Sequence, residues 1–396
     1  MREGWISCAI GDVVEQVKRV QSLNDNEQYR LLGVRWYGMG AFHRETVTTA
    51  SSKANKFFRV HTGDFIYNRL FAWKGAFAVI EDELDGHCVS GEFPVFRTDP
   101  ERLLPEYLFH YMARPQIWDR ILLESTGSTA TSRNRWKEDR FLSMEIDLPP
   151  IDVQRRIVDL ISSIDQAIEA AKPLISLVDA VWASLIAKET SEVEQIGLRE
   201  VVATAKAGGT PSRDRPDFYN GDIPWLKSGE VANGEISEAE EAITEKGLAN
   251  SSAWLVPAGA VLVAMYGATA GAVGYLQRPM ATNQAVLALI GEPSQVDQRF
   301  LYHWLRSRAE HMKARATGAA QPNLSKARVL EEPFPLLDVE SQRGLSITLD
   351  SILDIADQAK KFVSVATSLR NQLGAALLSG EHTIPDSYDH LLEDAS

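Results

Sequence analysis

The residues best suited to bind a ligand lie in two polar loops that occupy matching places in the chain. STGSTATSRNRWKEDR, residues 125–140, mixes hydroxyl, guanidinium and amide side chains with glycine, and ATGAAQPNLS, residues 316–325, is a shorter stretch of the same character. Guanidinium and ammonium groups pair with phosphates and guanine edges, amides pair with adenine edges, and hydroxyl groups adapt to either. Both loops are therefore candidates for contact with a nucleic acid.

Further candidates with the same chemistry flank these loops and two nearby turns. Paired glycines after Lys206 would let the backbone approach closely, so that its N–H groups meet a phosphate. A solvated surface group remains an equally good interpretation of each single residue. The candidates of the first half are Asn68, Arg69, Lys74, Thr126, Ser132, Arg133, Asn134, Arg135 and Lys137, with Trp136 as an anchor in the core. Those of the second half are Lys206, Gly208, Gly209, Thr210, Ser212, Arg213, Lys227, Tyr266, Thr317, Gln321, Asn323 and Lys326.

A second kind of basic feature lies just before the second loop. Arg306, Arg308, Lys313 and Arg315 recur at short spacings on a predicted helix. Phosphate contact and a solvated helix face explain this cluster equally well.

An internal repeat positions the two loops. GDFIYNRLFAWKGAFAVI (63–80) aligns with GAVLVAMYGATAGAVGYL (259–276), and each predicts two apolar strands joined by a glycine turn. EYLFHYM (106–112) aligns with RFLYHWL (299–305), and each predicts a short helix. The same order in both halves indicates a duplicated unit.

Each half ends in a predicted long helix. LPPIDVQRRI (148–157) and FPLLDVESQRG (334–344) both place Pro and Asp where a helix begins. Apolar residues then follow at alternating steps of four and three, which is the seam of a coiled coil. The first seam is Ile157, Ile161, Ile164, Ile168, Ile175, Val178, Trp182 and Leu185; the second includes Leu349, Ile352, Val363, Leu373 and Leu377, and Arg370 interrupts it.

We expect the two helices to pack antiparallel as a spacer. The first seam spans roughly 42 Å at ~1.5 Å per residue, with a bend at Pro173. Two ordinary amphipathic helices in a bundle are the alternative. The predicted fold class is α+β, with two globular domains separated by an antiparallel two-helix coiled coil and a pseudo-two-fold internal repeat. The predicted boundaries are 1–150 and 191–333 for the domains, 151–190 and 334–381 for the helices, and 382–396 for an acidic tail.

Composition limits the class of protein. A chain of 396 residues with 44% apolar content is too long for one core. Its net charge of −13 argues against a nucleic-acid partner, but residues 1–150 and 196–333 carry only −2 and −1. Two cysteines fit a reducing cytoplasm, and no uninterrupted apolar run reaches the ~18–20 residues of a membrane span.

The second half resembles a known family. KAGGTPSRDRPDFYNGDIPWLKSGEV (206–231) resembles the opening of a target recognition domain in the specificity (S) subunit of Type I restriction–modification systems. TGAAQPNLS (317–325) with PFPLLDVESQ (333–342) resembles its closing segment. The first half is more divergent but keeps YNRLFAWKGAFAV, TGSTATSRN and LPPIDVQRRI. The resemblance covers about residues 5 to 381.

The resemblance implies a DNA-reading protein without chemistry of its own. Each recognition domain would contact one half of a bipartite double-stranded DNA target, while the helices set the spacing and dock two methyltransferase (M) subunits. Restriction (R) subunits would join that core. S-adenosylmethionine, ATP and Mg would be bound by those partner subunits, and the reaction would be N6 methylation of adenine.

The sequence itself carries no recognisable catalytic motif. The Pro-Pro pair at 149–150 lacks the flanking residues of a methyltransferase motif, and GATAGAVG (267–274) lacks the spacing of a dinucleotide-binding loop. No Gly-Lys dipeptide occurs, which excludes a phosphate-binding P-loop. The eight histidines are scattered and form no HExxH motif. We therefore expect neither an active site nor a metal site.

Two other functions remain open from the sequence. One is the specificity subunit of a different restriction system, in which a single partner fuses nuclease and methyltransferase. The other is a structural scaffold, with two protein-binding domains on a coiled coil and no role on DNA.

Overall fold

The computed structural model describes residues 4–24, 27–51, 54, 56–125, 135–231, 234–316, 323–385 and 387–389. The chain divides into two compact units, residues 1–170 with 362–396 and residues 171–361. Each unit contains one globular domain and part of each of two long helices.

The described residues of the first unit form three small sheets and several short helices. Strand β1 pairs with β11, the second sheet has the order β2-β10-β7-β8, and the third has the order β3-β6-β9-β4-β5. The strands are β1 (Ile6–Ala9), β2 (Val14–Val17), β3 (Val20–Gln21), β4 (Gln28–Val34), β5 (Ala41–Thr48), β6 (Phe57–Arg59), β7 (Phe65–Tyr67), β8 (Phe77–Val79), β9 (Cys88–Val89), β10 (Val95–Thr98) and β11 (Glu145–Leu148). The helices are α1 (Pro105–Met112), α2 (Pro115–Glu124) and α3 (Glu138–Leu142), followed by the long helix α4 (Ile151–Thr190).

An aromatic cluster fills the core of the first unit. Tyr67 and Phe77 come from the β7–β8 hairpin, and Phe141 and Trp136 approach them from the segment after the first polar loop. The ring centroids of Tyr67 and Trp136 lie 5.3 Å apart, and those of Phe96 and Phe141 lie 4.6 Å apart. Trp136 has no exposed surface, so its prediction as a core anchor is confirmed.

The second unit repeats this arrangement. Strand β12 pairs with β22, the second sheet has the order β13-β21-β18-β19-β15, and the third has the order β16-β14-β20-β17. The strands are β12 (Gln195–Gly197), β13 (Val202–Ala207), β14 (Tyr219–Leu226), β15 (Gly234–Ile236), β16 (Glu241–Ile243), β17 (Leu255–Val256), β18 (Val261–Ala264), β19 (Val273–Leu276), β20 (Met280–Thr282), β21 (Val286–Gly291) and β22 (Pro333–Pro335). The helices are α5 (Glu245–Ala249), α6 (Gln298–Ser307), α7 (Ala309–Arg315) and α8 (Lys326–Leu330), followed by the long helix α9 (Val339–Leu378).

The predicted hairpins and short helices are confirmed in both units. Strands β7 and β8 pair antiparallel with Ile66 opposite Ala78, and β18 pairs antiparallel with β19. Helices α1 and α6 contain the two aligned segments EYLFHYM and RFLYHWL. Gly75 and Gly271 hold matching left-handed conformations in the two hairpin turns, with φ angles of 71° and 89°. Because this conformation strains residues that carry a Cβ atom, the repeated glycines are explained by the turn.

The helix starts differ in detail. Asp338 precedes α9, and its carboxylate accepts hydrogen bonds from the Ser341 backbone N–H (2.9 Å) and hydroxyl (2.6 Å). These bonds lower the pKa of Asp338. In the first half, Asp152 lies inside the first turn of α4, and Pro150 immediately precedes the helix. Helix α4 continues through Pro173, and the bend expected there stays a prediction.

The long helices run antiparallel where they meet in the first unit. Ile161 approaches Gly374, and further along α4 Asp165 pairs with Arg370. From Ile161 to Asp165 the residue number increases along α4, whereas their partners, Gly374 and Arg370, follow in decreasing order along α9. The two helices therefore run in opposite directions. In the second unit, Trp182 of α4 and Leu349 of α9 belong to one core cluster. All predicted seam residues are buried or half-buried. The predicted fold class is confirmed.

Arg370 interrupts the apolar seam because it forms an ion pair. Its guanidinium donates to the two carboxylate oxygens of Asp165 at 2.9 and 3.1 Å. It also lies 3.5 Å from Nδ1 of His110, a buried residue of α1. A paired polar group in an apolar seam fixes the register of two helices.

By length and composition alone, helix α4 could cross a membrane, since its most apolar window has a mean hydropathy of 1.5. Core helices meet the same criterion. Ile157 and Ile161 pack in the core of the first unit, and Trp182 and Ile186 pack in that of the second. These four residues account for part of the apolar character of α4, although only 17% of its most apolar window is buried.

Described residues of the C-terminal segment pack within the first unit. Ile384 packs on its core, and the Asp389 carboxylate accepts two hydrogen bonds of 2.8 Å from the nearly buried Arg156. An acidic side chain of the tail thus serves as the partner of a buried cation.

Candidate nucleic-acid interface

The first polar loop is anchored on the β7–β8 hairpin. Its central part, residues 126–134, lies outside the described residues, and so do the candidates Thr126, Ser132, Arg133 and Asn134. The loop follows the end of α2 and ends at Trp136. The backbone N–H of Trp136 donates to the carbonyl oxygen of Arg69 at 3.0 Å. Burial of the Trp136 ring then holds this end of the loop beside the hairpin turn.

The second polar loop is anchored in the same way on the β18–β19 hairpin. The N–H of Leu324, a buried residue, donates to the carbonyl oxygen of Met265 at 2.8 Å. Tyr266 and Asn323 are bridged next to this bond. Thr317 and Gln321 lie outside the described residues. Each unit therefore holds the C-terminal end of its polar loop against the repeated hairpin.

Ion pairs brace the base of the first loop. Arg69 is paired with Glu138, and Arg135 is paired with Glu92 at 2.7 Å. Hydrogen bonding to Arg135 lowers the pKa of Glu92. Burial raises the pKa of Glu138, but the hydrogen bonds to its carboxylate and the charge of Arg69 together outweigh burial and lower the pKa. Arg69 and Arg135 thus act within the protein as clamps, and their charge is already compensated.

The other described candidates of the first unit, Lys137, Lys74 and Asn68, have different surroundings. Lys137 is exposed and forms no ion pair with any residue that the structure describes. The ammonium of Lys74 lies 3.8 Å from the ring centroid of Trp36. The Asn68 side chain accepts a hydrogen bond from the Leu70 N–H at 3.0 Å, which shapes the turn after β7.

Gly208 and Gly209 have a structural explanation, and the sequence-based expectation that their N–H groups meet a phosphate is wrong. Their N–H groups donate to the carbonyl oxygens of Val286 (3.1 Å) and Thr282 (2.8 Å), so neither is free for a phosphate. A Cβ atom at Gly208 would lie 2.0 Å from the Thr282 carbonyl oxygen. Close passage of two backbone segments, not a ligand, accounts for this glycine pair.

Arg213 and Lys227 are tied to the same carboxylate. Glu241 accepts from Arg213 at 2.8 Å and from Lys227 at 3.2 Å, and hydrogen bonding to Arg213 lowers its pKa. The Arg213 guanidinium also lies 4.5 Å from the ring centroid of Tyr219. Thr210 bonds to Gln284, and Ser212 is exposed.

Two lysines of the second unit are associated with the end of β13. Lys206 is exposed, and its ammonium lies 4.9 Å from the ring centroid of Trp254. The Lys326 ammonium donates to the carbonyl oxygen of Ala205, the residue before Lys206. Within the described part of the chain, neither lysine forms an ion pair. These two lysines, with Asn323 three residues before Lys326 and Tyr266 bridged to Asn323, make the best-supported candidate contact region of the second unit.

The basic cluster before the second loop is mostly structural. The Glu332 carboxylate, 1% exposed, is surrounded by Arg308, His311 and Arg315 at 3.3, 3.0 and 2.8 Å. Arg306 pairs with Asp179 at 3.6 Å and stacks over Trp182 at 4.9 Å. Lys313 lies 3.9 Å from Glu310. These contacts fix α6 and α7, so charge at this cluster is largely neutralised.

One exposed feature was missed by sequence analysis. The β4–β5 loop carries Trp36, Tyr37 and Met39 on the surface beside Lys74. Its signal in the sequence is RWYGMG (35–40), an aromatic pair between a cation and two glycines. Among the described residues, no group of three or more His, Cys, Asp or Glu is arranged to hold a metal ion.

The family model of the Type I restriction modification DNA specificity domain matches residues 2–176 and 190–361. The chain belongs to this family. The two matched stretches correspond to the two halves of the internal repeat. Members of the family recognise DNA and do not themselves catalyse a reaction on it. This recognition role applies to the present chain.

Curated relatives share modest sequence identity with this specificity-domain chain. The HindI specificity subunit of Haemophilus influenzae is 22% identical, with 81% of this chain and 87% of the relative aligned. The MjaIX specificity subunit of Methanocaldococcus jannaschii is 28% identical over 165 residues, which are 40% of this chain and 38% of the relative. The EcoR124I/EcoR124II specificity subunit of Escherichia coli is 25% identical, with 42% of each chain aligned. The chain thus spans about two fifths of two of these relatives and most of the third.

Solved structures show the same fold. The S subunit of a Type I restriction-modification system from M. genitalium matches with a TM-score of 0.60 and 16% identity, over 94% of this chain and 96% of that one. A chain from work on complex assembly and conformational transition of the type I R-M system matches with a TM-score of 0.58 and 16% identity, over 96% and 98%.

Proposed function

We propose that this specificity-domain chain reads a bipartite double-stranded DNA target, with one half-site read by each unit. The family match over both halves and the identical anchoring of the two polar loops support this proposal. Each loop ends beside a repeated hairpin and is accompanied by cations without an ion-pair partner among the described residues, Lys137 in the first unit and Lys206 with Lys326 in the second.

The candidate residues then divide into two roles. Lysines such as Lys206 would contact phosphates and set the position of each unit, because a phosphate contact carries no sequence information. Amide and guanidinium side chains of the loops, such as Asn323, would read base edges. Arg69, Arg135 and Arg213 would hold the loops in place through their paired carboxylates.

The chemistry would reside on partner subunits. We propose two methyltransferase subunits, which bind S-adenosylmethionine and methylate adenine at N6, and restriction subunits that use ATP and Mg, all in the cytoplasm. Exposed apolar residues on the long helices support docking of a protein partner: Leu177 and Val181 are 60% and 47% exposed in α4, and Val365 and Leu369 are 59% and 53% exposed in α9. Apolar side chains exposed in rows on a helix are typical of such interfaces.

Modification mapping tests this function. The chain is co-expressed with the methyltransferase subunit of its own system in a host without competing methylation, and N6-methyladenine is mapped across the genome by single-molecule sequencing. The proposal predicts a motif of two short specified parts with an unspecified gap, which disappears when this chain is omitted. Methylation that persists without the chain, or a single uninterrupted motif, would refute it.

A further inference from the structure

The loop between β4 and β5 presents an unusual set of side chains to solvent. We call Arg35–Gly40 the aromatic tip. Trp36, Tyr37 and Met39 are 39%, 63% and 61% exposed, although all three are large and apolar. A run of exposed apolar residues at a loop tip does not help the fold and is typical of a binding surface.

The aromatic tip is held rigidly. The N–H groups of Tyr37 and Gly38 donate to the carbonyl oxygens of Lys74 (2.7 Å) and Gly75 (2.9 Å), and the Arg35 N–H closes the turn on Gly40 at 2.9 Å. The rings of Trp36 and Phe71 lie 5.3 Å apart. Tyr37 has a φ angle of 60°, a left-handed conformation that is uncommon for an aromatic residue. Such strain is maintained only where surrounding contacts enforce it, and it is concentrated at functional sites.

Positive charge surrounds the tip without compensation. The Arg35 guanidinium lies 4.6 Å from the Phe42 ring centroid, and the Lys74 ammonium lies 3.8 Å from that of Trp36. Within the described ranges of the chain, neither cation forms an ion pair, in contrast to Arg69 and Arg135. Exposed aromatic groups between unpaired cations fit a polyanion that also offers flat apolar groups, and DNA has both properties.

The shared fold does not require the rings of the tip. In the first unit, Trp118 covers Gly75, where an added Cβ atom would lie 2.4 Å from the indole. In the second unit, the matching Gly271 borders a cavity of about 320 Å³ that is lined mostly by glycine and alanine. The matching turn of the second unit thus folds with backbone atoms of Ala309 and Lys313, and no ring, nearest to its glycine, so the turn itself does not require the aromatic residues packed beside it in the first unit.

We propose that the aromatic tip is a wedge that presses Tyr37 and Met39 against a base step of DNA while Arg35 and Lys74 hold the flanking phosphates. This inference rests on the proposed DNA-reading function. Lys74 belongs to the same hairpin turn as Arg69, whose carbonyl anchors the first polar loop, so the wedge acts beside the half-site read by the first unit. Met39 lacks the donors needed to read base edges. The wedge therefore adds affinity and distorts the duplex without specifying bases directly.

The test uses the assembled complex with its methyltransferase subunits and duplexes that carry 2-aminopurine at successive steps in and around the mapped target. Its fluorescence rises when a base step is unstacked. The variant Tyr37→Asn with Met39→Ala removes the wedge and retains a residue that tolerates the left-handed conformation. Val20→Ala is the control, since Val20 is also 61% exposed and belongs to the same unit.

We expect a local fluorescence increase of severalfold at one step with the native protein and the control, its loss in the wedge variant, and about tenfold weaker DNA binding with an unchanged methylation motif. Native protein that unstacks no step, or a wedge variant that binds and unstacks like the native protein, overturns the wedge and leaves the DNA-reading function intact. A variant that fails to retain methyltransferase in gel filtration shows instead that the tip docks a protein, which also overturns the inference. Failure of the mapping experiment would remove both proposals.

Discussion

The buried amides of Gln154 and Gln342 make the same three hydrogen bonds in the two units. Gln154 accepts from the Leu104 N–H at 3.0 Å and donates to the carbonyl oxygens of Arg102 (2.8 Å) and Pro149 (2.9 Å). Gln342 accepts from the Asp297 N–H at 2.9 Å, and donates to two carbonyl oxygens at 2.8 Å. Both glutamines have no exposed surface. Each one joins the first turn of a long helix to the segment before the short helix of its domain, which explains why a glutamine occurs at the matching position of LPPIDVQRRI and FPLLDVESQRG.

Replacement of Gln154 should destabilise the first unit. Gln154→Leu leaves one N–H and two carbonyl groups without partners, and each unsatisfied buried group costs about 1–3 kcal/mol. We expect the free energy of unfolding of the first unit to fall by roughly 2–5 kcal/mol. Hydrogen exchange read by mass spectrometry should show faster exchange near Leu104 and no change in the second unit. Gln372→Leu is the control, because Gln372 is exposed on α9; equal effects of both variants would refute the clamp.

The ion pair between Arg370 and Asp165 should set the register of the helices. Arg370→Leu restores an apolar seam but leaves Asp165 without its partner, so we expect a loss of roughly 1–3 kcal/mol in stability. The double variant Arg370→Leu with Asp165→Leu should recover most of that loss, because no charge is then left unpaired. Urea denaturation of the four proteins gives the coupling energy. Strictly additive effects would show that the pair does not act as a unit.

His110 should make the first unit sensitive to acid. Burial, reinforced by the positive charge of Arg370, lowers the pKa of His110 to about 4. The unfolded chain binds a proton near pH 6.5, whereas the folded chain does so only near pH 4. The contribution of neutral His110 to stability is therefore complete above pH 6.5 and decreases by roughly 3 kcal/mol as the pH falls to 4.

Substitution of His110 tests that pH dependence. Across pH 7 to 4, His110→Phe should lose less free energy of unfolding than the native protein, as measured by urea denaturation at fixed pH. His382→Phe, at an exposed histidine, should behave like the native protein. Parallel pH profiles for the native protein and His110→Phe would contradict the assignment.

Shortening both long helices should shorten the unspecified gap of the target. Asp165 pairs with Arg370 and Ile161 meets Gly374, and continuing this register by heptads selects 166–172 and 363–369 for joint removal. Their joint removal takes out ~10.5 Å of helix, equivalent to about 3 base pairs. Methylation mapping should find the gap reduced by that amount with both half-sites unchanged. An unchanged gap would refute the spacer role, and removal from one helix alone should abolish assembly.

Sequence patterns were sufficient where local periodicity or repetition decides the structure. The heptad steps predict the buried side of α4 and α9, and the paired glycine turns predict the two hairpins. The sequence did not reveal that Arg69 and Arg135 are neutralised, because their partners Glu138 and Glu92 are brought to them by the fold from 69 and 43 residues away. It also suggested phosphate contacts for Gly208 and Gly209, but the N–H groups of both residues donate to carbonyl oxygens of neighbouring strands.

The central claim is that each unit reads its own half-site, and methylation mapping of two matched charge variants tests it directly. Lys137→Ala removes a cation of the first unit, and Lys206→Ala with Lys326→Ala removes two of the second; none of the three forms an ion pair with a residue that the structure describes. The account predicts that the Lys137 variant lowers methylation most at targets that match the consensus weakly in one half-site. The Lys206–Lys326 variant should lower methylation most at targets that match weakly in the other half-site. Loss that follows the same half-site in both variants, or that ignores the half-sites altogether, would contradict it.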